Sequence, residues 1–169
     1  MREALIEALA LKALPRAGWV RVCVPDPESV AAHSWGVATL VLVLCPPDLD
    51  RERALAIALV HDLAEVRVGD LTPHDRVPRD EKARREREAF VDLVAALPNA
   101  EELTGCFDDY GVTAEGRFVQ ACDKLDMALQ AAAYERGTDL DLSEFVDSAL
   151  SKLSAGVLRE LARGAPETR

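Results

Sequence analysis

Apolar residues recur at helical spacing along nearly the whole chain. Residues 2–14 carry Leu5, Ile6, Leu9 and Ala13 on one stripe, which predicts an amphipathic helix. The segment "PRAGWVRVCVPDP" at 15–27 is punctuated by Pro15, Gly18, Pro25 and Pro27 and reads as a loop. Its "VRVCV" could be a short strand, but the sequence offers no second strand to pair with it. Residues 29–44 are apolar on almost every side, with Ser29 as N-cap and Pro46-Pro47 as the stop, so this helix belongs at the centre of a core. Asp50 caps a further helix over 50–66, and "VGDLTPHDRVP" at 68–78 is a loop. Residues 80–97 form a strongly charged helix with Phe90, Val94 and Leu97 on its buried stripe. A short helix at 99–109, a long one at 114–135 and a last one at 142–163 complete the pattern. No repeat, low-complexity tract or linker interrupts it. The expectation is an all-α fold, one domain over 1–169 built as a bundle of about six to eight helices.

Composition narrows the setting. The chain has 169 residues, 49% hydrophobic and 30% charged, enough to bury a core without a disulfide or metal to hold it. A formal charge of −10 disfavours a nucleic acid polymer as partner. A small phosphorylated molecule stays compatible, because one arginine or a metal outweighs the mean field locally. Cys23, Cys45, Cys106 and Cys122 lie far apart with no C-x-x-C pair, which points to a reduced, cytoplasmic protein. The start "MREALIEALALKALPR" is broken by Glu3, Glu7 and Lys12 and does not read as a signal peptide. The most apolar run, "GVATLVLVLCPP", is about half the ~20 residues of a membrane span, so no membrane partner is expected.

The chemistry gathers around "ALVHDLAEVRVGDLTP" at 58–73. His61 and Asp62 are adjacent at the end of an apolar helix, Glu65 follows one turn later, and Asp70 lies in the loop beyond. Buried carboxylates are costly unless paired or metal-bound. His33 sits in the most apolar helix, where taken alone it also reads as a core histidine satisfied by a carbonyl. Asp123 stands inside the apolar run "FVQACDKLDMALQ" and shares a face with Val119 and Met127, with Asp126 flanking it. His74, in a polar loop, reads as solvated. Two imidazoles and two carboxylates from three helices, around 29–44, 50–66 and 114–135, would suit Mn²⁺, Fe²⁺, Co²⁺, Ni²⁺ or Zn²⁺ better than Ca²⁺. Four such ligands leave an octahedral ion two positions for water and a substrate oxygen. Glu65 could then exchange a proton with either.

These residues carry a resemblance. His33, the adjacent His61-Asp62 and the distant Asp123 match the signature of the HD-domain metal-dependent phosphohydrolases. "ESVAAHSW", "ALVHDLAEVRVGDLTP", "EKARREREA" and "CDKLDMALQAAAYE", in that order from about Leu11 to Phe145, resemble the 5′-deoxynucleotidase branch. That branch includes the YfbR-like bacterial enzymes and the eukaryotic HD domain-containing protein 2. The resemblance implies removal of the 5′-phosphate from deoxyribonucleoside monophosphates by an all-helical, commonly homodimeric enzyme. Its divalent cofactor would be Co²⁺ or Mn²⁺, with Fe²⁺, Ni²⁺, Zn²⁺ or Mg²⁺ as alternatives.

Carried onto this chain, the resemblance makes His33, His61, Asp62 and Asp123 the metal ligands, Glu65 the catalytic carboxylate, and Asp70 a group near the sugar or nucleophile. The family's Arg-Trp pair is here spelled R-x-G-W, so Arg16 takes the phosphate and Trp19 walls the 2′ position of the sugar. A core plug is the other reading of Trp19. Lys124 adds a positive charge toward the phosphate, and Thr72 faces the sugar across the loop. Ala32 stands where many relatives have an acidic residue before the first His. Lys82 and Glu86, at i, i+4 spacing, read equally well as a surface ion pair. Two rival functions stay open: hydrolysis of another nucleotide or phosphorylated metabolite, and a non-catalytic metal-containing binding protein.

Overall fold

In the computed structural model, which describes residues 1–164, side-chain caps set the starts of the central helices. Ser29 accepts from the Ala32 N–H (3.1 Å) and opens α3 (Val30–Leu44). Asp50 accepts from the Arg53 N–H (3.0 Å) ahead of α4 (Arg51–Val60), and Thr113 from the Gly116 N–H (3.0 Å) ahead of α8 (Ala114–Glu135). Shorter or more peripheral are α1 (Arg2–Leu9), α2 (Ala17–Arg21), α5 (Glu65–Val68), α6 (Arg79–Val94), α7 (Ala100–Asp109), α9 (Ser143–Lys152) and α10 (Val157–Arg163). Among the described residues there is no strand, only an isolated bridge between Pro15 and Ser29, so "VRVCV" is not one. The all-α expectation holds.

Long α8 is the axis of the fold. It packs on α3 and α4 on one side and on α9 and α10 on the other, while α7 bridges α4 and α6. One core gathers Val37, Val41, Ile57, Phe90, Val94 and Val119 from α3, α4, α6 and α8. Phe90 and Phe107 stack there with centroids 4.3 Å apart. A second core, with Leu125, Ala128, Ala149 and Leu153, seats α9 and α10.

Three segments depart from the sequence pattern. The loop at 15–27 contains α2, because Asp70 Oδ2 accepts from the Ala17 N–H (2.8 Å) and buried Trp19 anchors the turn. The helix at 50–66 breaks at His61, and the turn to α5 tightens into Leu63 N–H to Val60 O and Glu65 N–H to Asp62 O bonds, each 3.0 Å. The helix at 142–163 breaks into α9 and α10, with the Arg159 guanidinium reaching back to the carbonyls of Leu150 and Leu153. These breaks and the added α2 take the number of helical segments above six to eight. Residues 165–169 of the expected 1–169 domain lie outside the described residues.

Candidate active site

The break after α4 builds the site. In a turn closed by i→i−3 bonds, side chains three apart eclipse. Asp62 and Glu65 therefore face the same way, and His61, the last residue before the turn, stays beside them. Gly69, at φ 78°, then ends α5 in a conformation that costs other residues strain, and the chain turns directly into Asp70. From α3 comes His33 and from α8 comes Asp123, both buried.

The geometry is close. His33 Nε2 lies 3.6 Å from Asp62 Oδ2 and 3.4 Å from Asp123 Oδ1, and His61 Nε2 lies 3.3 Å from Asp62 Oδ2. One ligand atom each from His33, His61 and Asp62 fall within 4.8 Å of one another. The far nitrogen of each imidazole is already engaged: His33 Nδ1 with Asp126 Oδ2 (2.7 Å) and His61 Nδ1 with the Ala58 carbonyl (2.8 Å). Those acceptors take the Nδ1 proton and leave both Nε2 atoms aimed inward, each able to offer a lone pair once a cation displaces any proton there. Asp126, which flanks Asp123 on α8, is the group that supports His33.

Three buried atoms there have no hydrogen-bond partner: His33 Nε2, His61 Nε2 and Glu65 Oε2. Buried polar atoms are rarely left so, and the two imidazole nitrogens, beside Asp62, fit a cation. Electrostatics agree. Burial works against charge on His33, but Asp123 and Asp126 outweigh it and lift its pKa to about 9. A pocket that draws a proton onto a buried imidazole carries excess negative charge, which a divalent ion would answer instead. Asp62 and Asp123 stay ionised despite burial, held well below the usual carboxylate range by His61, His33 and Arg16 around Asp62, and by Lys124, His33 and His61 around Asp123. Glu65 goes the other way. Burial, then Asp62 and Asp70, push its carboxyl far up, so in the ion-free protein it is neutral at pH 7.

Around this cluster lies a cavity of about 1270 Å³. Arg16 enters it with Nη1 3.5 Å from Asp62 Oδ2 and 4.0 Å from Asp70 Oδ2. Lys124 Nζ donates to Asp123 Oδ2 (2.7 Å). Thr72 is on the lining, but its hydroxyl donates to Asp75 Oδ2 (2.8 Å), capping the short turn at 73–75. Trp19 is on the lining as well, though only 2% exposed: its ring lies 4.2 Å from that of Phe145 and its Nε1–H donates to Glu28 (2.9 Å), which holds it beneath the Arg16 loop. Exposed His74 stays outside the cluster.

One group escaped the sequence reading. Tyr110 donates its hydroxyl to Asp123 Oδ2 (2.5 Å) while its ring stacks on His61 at 5.1 Å, and burial raises its pKa so that it remains a donor. Nothing in "DDYGVT" signals this. Lys82 and Glu86 do form an ion pair (3.1 Å), but on the cavity wall, with Lys82 Nζ also donating to the Leu71 carbonyl (2.9 Å). Their i, i+4 spacing was visible; their inward direction was not.

Comparison with known proteins agrees with this geometry. A family model described as HD domain matches residues 8–163. The chain is 42% identical over 153 residues to 5′-deoxynucleotidase HDDC2 of Bos taurus, covering 85% of this chain and 73% of that protein. It is 40% identical over 145 residues to 5′-deoxynucleotidase hdd1 of Schizosaccharomyces pombe, covering 80% and 73%. A solved structure of a conserved hypothetical protein from Pyrococcus furiosus superposes with TM-score 0.77 at 35% identity, covering 96% of this chain and 99% of that one.

Proposed function

The chain belongs to the HD-domain family, and from that premise we propose that it is a metal-dependent 5′-deoxynucleotidase acting as one domain. The observation that carries this reading is the meeting of the unpartnered His33 Nε2 and His61 Nε2 with Asp62, beside a cavity lined by His61, Asp62, Glu65, Arg16 and Lys124. His33, His61, Asp62 and Asp123 would hold one divalent ion; their nitrogen and oxygen donors suit a transition metal, and Co²⁺ or Mn²⁺ is taken from the resemblance to the 5′-deoxynucleotidase branch. When bound, the ion supplies charge neutralisation for a phosphate dianion and acidifies water at neutral pH.

The chain's own groups do the rest. Arg16 turns its planar fork from Asp62 and Asp70 toward the phosphate oxygens, and Lys124 adds a second positive charge. Asp70 fixes the Arg16 loop through the Ala17 N–H and lies within reach of the sugar. Glu65 holds or releases a proton, accepting it from the attacking water or delivering it to the 5′-oxygen that leaves. Trp19 and Thr72 belong to the lining beside the sugar, with their polar groups already held by Glu28 and Asp75. Tyr110 and Asp126 keep Asp123 and His33 aimed.

The reading includes a reducing cytoplasm, supported by four cysteines that are all free. Among the described residues no helix is long and apolar enough to cross a membrane. It also includes a homodimer, supported by an apolar outer face on α3. The test is phosphate release from a panel of deoxyribo- and ribonucleoside 5′-monophosphates, with Co²⁺, Mn²⁺, Fe²⁺, Ni²⁺, Zn²⁺ and Mg²⁺ in turn. Turnover of the deoxy series is expected. Silence across the panel with metal fully loaded would overturn the reading.

A further inference from the structure

The cavity is larger than the metal cluster and one phosphate require. At about 1270 Å³ it exceeds the ~300–1,000 Å³ of ordinary small-molecule sites. Among the eight arginines and lysines on its lining, Lys124 on α8, Lys152 at the end of α9 and Arg79 at the start of α6 come from three separate helices. Lys124 is the inner one, beside Asp123. Among the described residues, no carboxylate oxygen lies within ion-pair distance of Arg79 or Lys152. Arg117 on the same lining has none either, whereas Arg21, Arg84, Arg85 and Arg87 nearby are paired.

Helix propensity does not explain the arrangement. A lysine in the last turn of α9 is favourable for the helix dipole, but an arginine at the first position of α6 is at the wrong end. Pro78, which precedes it, supplies no side-chain cap. The three charges also feel one another: burial, then Lys124 and Arg79, depress the Lys152 ammonium against the opposing pull of Asp123. Like charges gathered on separate elements around an open volume are stabilised by an anion between them.

We propose that Arg79, Lys152 and Lys124 form a second anion subsite, which takes a phosphate group carried by the same ligand whose first phosphate sits at the metal cluster. This rests on the metal-cluster reading but not on the identity of the nucleotide. Two ligands share the required chemistry, a nucleoside 5′-diphosphate and a nucleoside 3′,5′-bisphosphate.

The probes are inorganic phosphate and methylenediphosphonate, whose P–C–P bridge resists hydrolysis, titrated calorimetrically into metal-loaded protein. Arg79→Ala and Lys152→Gln should each weaken methylenediphosphonate about tenfold, the loss of one charge-assisted contact, while phosphate affinity stays within about twofold. Release of phosphate from deoxynucleoside monophosphates, measured separately, should be unchanged in both variants. Equal weakening of both probes would reduce the three cations to a general field, and no weakening of either would make them solvated surface charges; both outcomes overturn the subsite. Titration of deoxyadenosine 5′-diphosphate and 3′,5′-bisphosphate then separates the sources. The one that loses affinity in the variants is the ligand class, and loss by neither counts against the proposal.

Discussion

At the scale of single residues, the site holds two carboxyl groups of opposite habit, three positions apart. Asp62 stays ionised because imidazoles and Arg16 surround it, whereas Glu65 is pushed up by burial and by Asp62 itself. A carboxyl whose folded pKa is raised destabilises the native state as pH climbs above its unfolded value near 4.5 and toward the folded one. At pH 7 that penalty is present in the ion-free protein. Glu65→Gln removes it, so thermal melts of chelated protein should show a higher Tm for the variant, by about 2–4 °C for each kcal/mol relieved in a chain of this size. The same change should leave metal content intact and lower kcat by roughly 10²–10⁴-fold, since an amide exchanges no proton. Turnover near wild type would remove Glu65 from the chemistry. Arg16→Ala should instead reduce kcat/KM by about ten- to a hundredfold with metal retained, the loss of a charge-assisted contact worth roughly 1.5–3 kcal/mol. His33, His61, Asp62, Glu65 and Asp123 could be singled out in the sequence because polar groups in apolar helices stand out. Tyr110 could not, because a tyrosine after two aspartates looks like any surface turn, and its contact to Asp123 spans two helices.

At the scale of elements, periodicity revealed where helices lie but not where they must break. The α4–α5 turn follows an apolar run with no proline or glycine until Gly69, so local sequence gives no stop signal. The break is dictated by tertiary demand: Asp62 and Glu65 are aligned only if the turn tightens. The same holds for α2, whose start is fixed by Asp70, a residue 53 positions away. Trp19 reads as either wall or plug for a related reason, since a tryptophan in a Gly/Pro-rich loop gives no sign of whether Phe145 and Tyr134 will enclose it. The contact between α3 and α8 offers the sharpest test at this scale. Gly36 lies on α3 one turn after His33, and a Cβ there would collide with Asp126 Oδ1 and stand 3.0 Å from its Cγ. Gly36→Ala should therefore displace the carboxylate that orients His33. Overpacking of this kind costs about 1–3 kcal/mol, but the specific outcome is weaker metal binding, about 10–100-fold, as for loss of a group that orients a ligand. Metal titration followed by circular dichroism separates the two effects. Undiminished metal affinity in a folded variant would mean that Asp126 does not position His33.

At the scale of the whole molecule, a metal that binds only the folded site acts on the native state alone. An ion bound a hundredfold above its dissociation constant adds about 2.7 kcal/mol, so chelation should lower Tm by several degrees, and His61→Ala should show the lowered value whether or not metal is supplied. The outer face of α3 raises a different question. Its inner side carries His33, Val37 and Val41 into the core, while Trp35, Leu42 and Val43 are 70%, 56% and 72% exposed on the other. Leu59 on neighbouring α4 is 58% exposed. A tryptophan so placed, with apolar residues seven and eight positions on, makes a stripe that a twofold-related copy of itself would cover, as isologous interfaces require. Because α3 also carries His33, such a dimer would brace the helix on which the metal cluster depends. Trp35→Glu should then convert a dimer to a monomer in sedimentation equilibrium at micromolar concentration. The metal content should survive, since Trp35 faces away from the cluster, but the Tm should fall and lose its dependence on protein concentration. A wild-type chain that sediments as a monomer, or a variant that still dimerises, would assign that stripe to something other than a second copy.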